Sequence, residues 1–154
     1  MTGSSPGPQA PGVAHFLFNC VGRDAMTGSE ARDRAAAFLG ARMWGVDDDE
    51  PHRDALAAGD LALIYLGSPQ RLFIGRAVLA SAVRAWTPFE APLYPGSAGA
   101  GVLLAEVEDW DPPVPMETVL SRIPPSEKSK ADFLRGVVRI TADEYETTLD
   151  LRNT

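Results

Sequence analysis

Hydrophobic and polar positions change period several times along this chain, and each change predicts an element. His15-Phe-Leu-Phe-Asn19 is apolar and aromatic between Pro11-Gly12 and Gly22, which predicts a first strand. Thr27-Gly-Ser-Glu30 has capping-box spacing and opens an Ala-rich helix that ends near Gly40. Ala41 to Glu50 holds Met43-Trp44-Gly45 and a run of acids, and reads as a loop; a short helix around Arg53 to Ala58 then stops at Gly59-Asp60. Leu61-Ala-Leu-Ile-Tyr-Leu66 predicts a buried strand and Gly67-Ser-Pro-Gln70 a turn. Arg71 to Ala85 is the longest strand candidate, forming a hairpin with the strand before it, with Gly75 at a bulge or a close backbone approach. Pro88, Pro92, Pro95, Gly96, Gly99 and Gly101 mark a long loop before a strand at Val102 to Val107. Pro112, Pro113 and Pro115 break the chain again, ahead of a short helix around Met116 to Ser121. Gly136 to Ile140 is the last strand, and Thr141-Ala-Asp-Glu144 caps a helix running to about Leu149. Strands outnumber helices and several are joined by short turns, so the expected fold is α+β: a small, partly closed mixed β-barrel with helices packed outside it.

Composition narrows the class. With 154 residues and 45% apolar content the chain can fill one core, which predicts a single domain over residues 14–154 behind a Pro-, Gly- and Ser-rich leader, residues 1–13, expected to be disordered. The leader lacks the charged and apolar regions of a secretory signal, and the apolar runs fall well short of the roughly 20 residues that span a bilayer. Cys20 is the sole cysteine, so no internal disulfide forms and a reducing cytoplasm is the expected compartment. One Cys with His15 and His52 makes no zinc site, and no cofactor is expected. Asp47-Asp-Asp-Glu50 beside His52 reads as a solvated acidic loop, with a divalent cation as the alternative.

The net charge of −7 opposes any binding that works by coating phosphates, but the charge is uneven. Leu61 to Phe89 carries Arg71, Arg76 and Arg84 with no acid, and Ser121 to Ile140 carries Arg122, Lys128, Lys130, Arg135 and Arg139 against two acids. These segments offer a positive patch on an acidic body if they meet, with Arg71, Arg76 and Arg84 as the candidate phosphate contacts.

No Gly-x-Ser-x-Gly, Cys/His pair or phosphate-binding Gly-rich loop is present, so binding without catalysis is expected. Trp44 in Met-Trp-Gly and Trp86 in Ala-Trp-Thr-Pro-Phe stand beside Gly or Pro, where either capping of the core or stacking on a ligand accounts for them; Trp110 reads as core. Tyr65 is core by periodicity, although a hydroxyl at a strand end can reach a pocket, and Cys20 fits a small buried hydrophobe.

His15-Phe-Leu-Phe-Asn-Cys20, Trp44-Gly45, Ala58-Gly-Asp-Leu-Ala-Leu-Ile-Tyr65, Phe73-Ile-Gly-Arg-Ala-Val-Leu-Ala80 and Phe133-Leu-Arg-Gly-Val-Val-Arg-Ile-Thr-Ala-Asp-Glu-Tyr145 together resemble the EVE domain of the PUA-like superfamily. That family is similar to the YTH readers of methylated adenine. The resemblance implies a small barrel that binds DNA or RNA carrying a modified base, with Asn19 and Cys20 as polar contacts, Trp44 after the first helix, and Tyr65 closing the Gly-Asp strand. The chain departs from the family at Asn19 and Cys20, where a basic residue and a hydroxyl are usual, and at Leu66, where a small polar residue is usual. The expected function is therefore a module that takes a flipped base, a 5-modified cytosine, into an aromatic pocket of Asn19, Cys20, Trp44, Tyr65, Leu66 and Trp86. Cys20 and Leu66 would make the pocket more apolar and favour methyl over hydroxymethyl. The ASCH pattern, Gly-x-Lys followed by Glu-x-Arg, is absent. An ASCH-like hydrolase or nucleoside-binding protein is the second reading, and a protein-interaction adaptor the third.

Overall fold

The computed structural model describes residues 13–20, 28–50, 52–67, 70–122 and 136–153. Thr27 of the first capping box, Ser68 and Pro69 of the turn, the basic residues Lys128, Lys130 and Arg135, and most of the leader lie outside the described residues.

Two apolar runs form the centre. β1 (His15–Asn19) and β3 (Leu61–Leu66) pair in parallel, with Phe18 opposite Ile64 and Asn19 opposite Tyr65. Parallel neighbours need a crossover, and here it contains α1 (Gly28–Ala41), β2 (Met43–Gly45) and a 3-10 turn at Arg53–Ala55. β4 (Leu72–Leu79) returns antiparallel to β3 as the expected hairpin. Then follow β5 (Arg84–Ala85), β6 (Ala100–Pro115), α2 (Met116–Leu120), β7 (Val137–Ile140) and α3 (Ala142–Arg152). The sheet is mixed, in the order β2-β6-β4-β3-β1-β7 with β5 also on β6, and it curls into a half-barrel flanked by the helices. The α+β barrel predicted from the pattern is the fold observed.

Both faces of the sheet are covered, which is why β1 and β3 read as unbroken apolar runs instead of alternating ones. On one face Phe16, Phe18, Ala62 and Ile64 meet Ala31, Ala35, Phe38 and Leu39 of α1, whose spacing is that of one helical stripe. On the other, Leu17, Leu63 and Phe73 meet Met116 and Val119 of α2 and Tyr145 of α3. α3 starts at a complete capping box: the Thr141 hydroxyl accepts the Glu144 N–H at 3.0 Å, and the Glu144 carboxylate accepts the Thr141 N–H at 2.7 Å.

The Gly59-Asp60 pair has a structural task. Gly59 turns the chain at φ +93°, and the buried Asp60 carboxylate accepts the N–H groups of Ala14 and Ala57, each at 3.0 Å. One side chain thus ties the approach to β1 to the approach to β3. Gly75 is the expected close approach, because a Cβ there would run into the backbone carbonyl of Glu108 in β6.

Several predicted boundaries change. Residues 41–50 are not all loop, since Met43–Gly45 pairs with Leu103 to Gly101 of β6 as β2. The long strand from Arg71 to Ala85 divides into β4 and β5, and the helix over Arg53 to Ala58 is only the 3-10 turn. The strand over Val102 to Val107 runs through Pro115, so the prolines do not end it. Its pairing with β4 skips from Gly75–Asp109 to Phe73–Val114, which leaves residues 110–113 in a bulge opposite Ile74. Pro112 and Pro113 fit in that bulge because no ladder bond needs their missing N–H.

Candidate functional site

Strand alternation divides the expected pocket. Consecutive strand residues point to opposite faces, so Asn19 and Cys20 cannot share a side, nor can Tyr65 and Leu66. Cys20, Trp44 and Leu66 lie in the core beneath α1, and Tyr65 lies in the core beneath α3. Cys20 donates its thiol hydrogen to the Ala31 carbonyl at 3.3 Å and holds α1 on the sheet. Trp44 is 4% exposed, with its ring 5.6 Å from Phe18 and 5.1 Å from Phe38. The expectation that a base stacks on Trp44 is therefore corrected, because protein rings already cover it. With Cys20 and Leu66 in the core, the argument for methyl over hydroxymethyl loses its basis.

Trp86 extends the same aromatic column. Its Nε1 donates to the Ala98 carbonyl at 2.9 Å, and its ring lies 5.0 Å from Tyr94. Tyr94 stacks on Phe38 at 5.3 Å and 14°, and receives the Gly45 N–H at its hydroxyl. Burial pushes the Tyr94 hydroxyl above its ordinary pKa, against that hydrogen bond. Sequence reasoning missed Tyr94 by assigning its Pro-flanked segment to loop.

Three of the expected residues do come together, on the face of α3. Asn19 and Tyr65 stand at the same register on neighbouring strands, at the carboxyl ends of the parallel pair. The Asn19 amide is buried against Gly67: a Cβ at that glycine would sit 3.1 Å from Oδ1 and 3.2 Å from Nδ2. Arg71 hydrogen-bonds the Tyr65 hydroxyl, whose pKa burial raises and this contact partly lowers. The Asn19 N–H also donates to Gly136 at 2.8 Å, so the start of β7 adjoins this cluster. There the Glu50 carboxylate accepts the Val137 N–H at 3.1 Å; burial raises its pKa, which that bond opposes. Asp48 pairs with Arg53 at 3.2 Å, so the acidic run is tied to its neighbours at two points. Among the described residues no group of His, Cys, Asp or Glu could hold a metal ion.

Arg76 and Arg84 are elsewhere, and each faces a carboxylate. Arg76 donates to Glu108 at 2.9 Å and to the Tyr145 hydroxyl at 3.2 Å, and Glu108 raises its pKa. Arg84 grips Glu90 with both terminal nitrogens, at 2.7 and 2.8 Å. The three arginines thus form no common phosphate track, and Arg71 alone adjoins Asn19 and Tyr65. The Arg84 partner was legible: Thr87-Pro-Phe-Glu90 is a capping-box sequence, and both of its reciprocal bonds form, at 3.0 and 3.1 Å.

The Arg84 contact and the Thr87 N–H hold Glu90 at a pKa of about 2, down from 4.5. A lowered carboxylate stabilises the fold above the ordinary value and loses that effect as pH falls through the folded one. Emission from Trp86, compared with Trp86→Phe, should stay constant down to pH 4.5 and change progressively toward pH 2 as this loop loosens. A transition centred near neutrality would show that Glu90 is not the group that holds it.

The architecture is a curled mixed half-barrel with helices outside. No family model and no curated protein matches the chain. Solved structures do. An NMR structure from Rhodopseudomonas palustris has TM-score 0.60 at 18% identity, over 92% of this chain and 94% of that one. The YTH domain of the MRB1 protein from Zygosaccharomyces rouxii, in complex with N6-methyladenosine RNA, has TM-score 0.63 at 12% identity, over 95% of this chain and 92% of that one. An ASCH protein from Zymomonas mobilis has TM-score 0.53 at 12% identity, over 90% and 95%. At these identities the likeness is one of fold. Among the described residues no helix is long and apolar enough to cross a membrane.

Proposed function

We propose that this chain is an EVE-type nucleic-acid-binding module that reads one modified base, a 5-modified cytosine, without catalysing a reaction on it. The observation that carries the reading is the Asn19 amide, buried beside Gly67 at the carboxyl ends of β1 and β3, with Tyr65 at its own register. An amide donates and accepts at once, as the edge of a cytosine requires, and the Tyr65 hydroxyl, a phenol protonated at neutral pH, is a second donor. Arg71 supplies the adjoining positive charge. The fold likeness to a YTH domain solved with methylated RNA supports a nucleic-acid ligand.

Stacking contributes about 1–3 kcal/mol per base and extrusion costs a few kcal/mol, so edge contacts and phosphate contacts supply the net affinity. Binding at micromolar order or weaker is expected, with a shallow salt dependence set by few phosphates. A methyl group adds about 0.8 kcal/mol, roughly fourfold in affinity, so it discriminates between bases without dominating the binding energy.

The test is competition among otherwise identical strands with cytosine, 5-methylcytosine, 5-hydroxymethylcytosine or N6-methyladenine at one site. The modified cytosines should bind best, and Asn19→Ala should level the four affinities. Equal affinities in the unaltered protein would remove the modified-base reading, and turnover of any strand or nucleoside would favour the hydrolase.

A further inference from the structure

The β6 bulge opens a cleft against α1. Residues 110–113 have no partner on β4, so no ladder closes the sheet beside Ile74. Trp110 turns into the core beneath α3, and its neighbours Asp109 and Asp111 therefore turn out together, toward α1. Facing them, Arg32, Ala36 and Leu39 follow one another at helical spacing along α1. Ala36 is the small residue of the three and leaves the space, while the buried Leu39 and Ile74 give it an apolar floor. The cleft measures about 290 Å³.

Its charges are open. Arg53, Arg76 and Arg84 each reach a carboxylate, but among the described residues the side chains of Arg32, Asp109 and Asp111 have neither a hydrogen bond nor an ion pair. Arg32 lines the same cleft as the two carboxylates and pairs with neither, so both signs face the gap between them. That arrangement sorts the ligands. An anion, a phosphate included, meets two carboxylates. A simple cation meets Arg32 and leaves it unused. A calcium ion takes six to eight oxygens, and among the described residues no group of His, Cys, Asp or Glu could hold a metal. A molecule with both charges and an apolar part uses every wall at once, and the volume, just under the roughly 300–1,000 Å³ of small-molecule pockets, asks for a small one.

We propose that this cleft binds a free α-amino acid with a branched apolar side chain. Asp109 and Asp111 take the ammonium, the Arg32 guanidinium takes the carboxylate as a fork, and the side chain enters over Ala36 onto Leu39 and Ile74. The cleft shares no residue with Asn19, Tyr65 and Arg71, so this inference goes beyond the base-reading function and stands without it. All three charged residues are exposed, so each pair contributes little, and binding on the order of millimolar is expected.

The full chain is titrated in two-dimensional amide NMR with leucine, with isoamylamine and isocaproate, which each keep one of its charges, with glycine, which lacks its side chain, and with calcium. Leucine should shift the amides of Ala36, Leu39, Asp109 and Asp111 and bind about three- to fivefold more tightly than isoamylamine, the scale of one exposed charge pair. Isocaproate and glycine should bind more weakly still. Arg32→Gln should remove the advantage of leucine over isoamylamine, and Ala36→Leu, which fills the cleft from an exposed helix position, should remove the shifts while the unfolding midpoint holds. Equal binding of leucine and isoamylamine by the unaltered chain would make the cleft a cation site and overturn the proposal. Equal binding of glycine would remove the apolar arm and overturn it as well. Shifts from calcium with none from leucine, or leucine binding that survives both substitutions, would also overturn it.

Discussion

Trp44→Ala should destabilise the domain by about 3–5 kcal/mol, the range for deleting a large buried aromatic side chain, instead of acting as a clean binding-site change. Trp44 is 4% exposed and stands where α1 ends and β2 begins. Its ring contacts Phe18 of β1 and Phe38 of α1, and Phe38 carries Tyr94 on from there. Removing the indole therefore leaves a cavity at the junction of the helix, the sheet and the loop that bears Trp86 and Tyr94. Urea unfolding followed by circular dichroism measures this directly. Trp44→Phe should recover much of the loss, because a ring remains between Phe18 and Phe38. A Trp44→Ala protein with an unchanged midpoint and lost oligonucleotide binding would return Trp44 to a ligand site and overturn its assignment to the core.

The same region shows what the sequence could and could not convey. β1 and β3 were legible to the residue, because strands covered on both faces are bounded by the ends of their apolar runs. The C-terminal helix was legible at its start through Thr141 and Glu144, but it runs past Leu149 to Arg152 because polar residues at a helix end mark no stop. β2 was hidden because three residues show no period, and their pairing with β6 is a long-range contact. The prolines of β6 misled for a physical reason: proline forbids a ladder bond, and the bulge opposite Ile74 has none there to lose.

For the site, the resemblance to the EVE pattern brought Asn19, Cys20, Tyr65 and Leu66 into one pocket. Strand geometry alone was sufficient to divide them, since adjacent residues on a strand face apart. Asn19, Tyr65 and Arg71 survive as a group because they share a side. Arg76 and Arg84 looked available because their carboxylate partners are distant in sequence or lie in a loop. Glu108 is 32 residues from Arg76, whereas Glu90 is six from Arg84 and was announced by Thr87. The tryptophans were ambiguous because Gly and Pro beside an aromatic fit a ligand loop and a tight core turn equally. The deciding contacts of Trp44 come from Phe18 and Phe38, neither of them its neighbour in sequence.

Asp60→Ala should cost about 3–5 kcal/mol, an effect comparable to that of Trp44→Ala but from the opposite cause. Asp60 is 2% exposed, and its two oxygens accept the N–H groups of Ala14 and Ala57, each at 3.0 Å. Hydrogen bonds to a charged group are worth about 1.5–3 kcal/mol each, and losing the acceptor leaves the buried Ala14 N–H without its partner and the Ala57 N–H, on an exposed residue, to water. The Ala14 bond joins segments 46 residues apart, so its loss falls on the junction of β1 and β3, where Ala14 also accepts the Leu61 N–H at 3.0 Å. Asp60→Asn separates geometry from charge. Its amide oxygen can serve one N–H, but its NH2 then faces the other, so most of the loss should remain, about 2–4 kcal/mol. Hydrogen exchange should report the change locally, with the Ala14 and Ala57 amides losing protection before those of β6. If Asp60→Asn unfolds at the same urea concentration as the unaltered protein, the carboxylate is not what holds the two strand entrances together. The Gly59-Asp60 pair would then act through the turn at Gly59 alone.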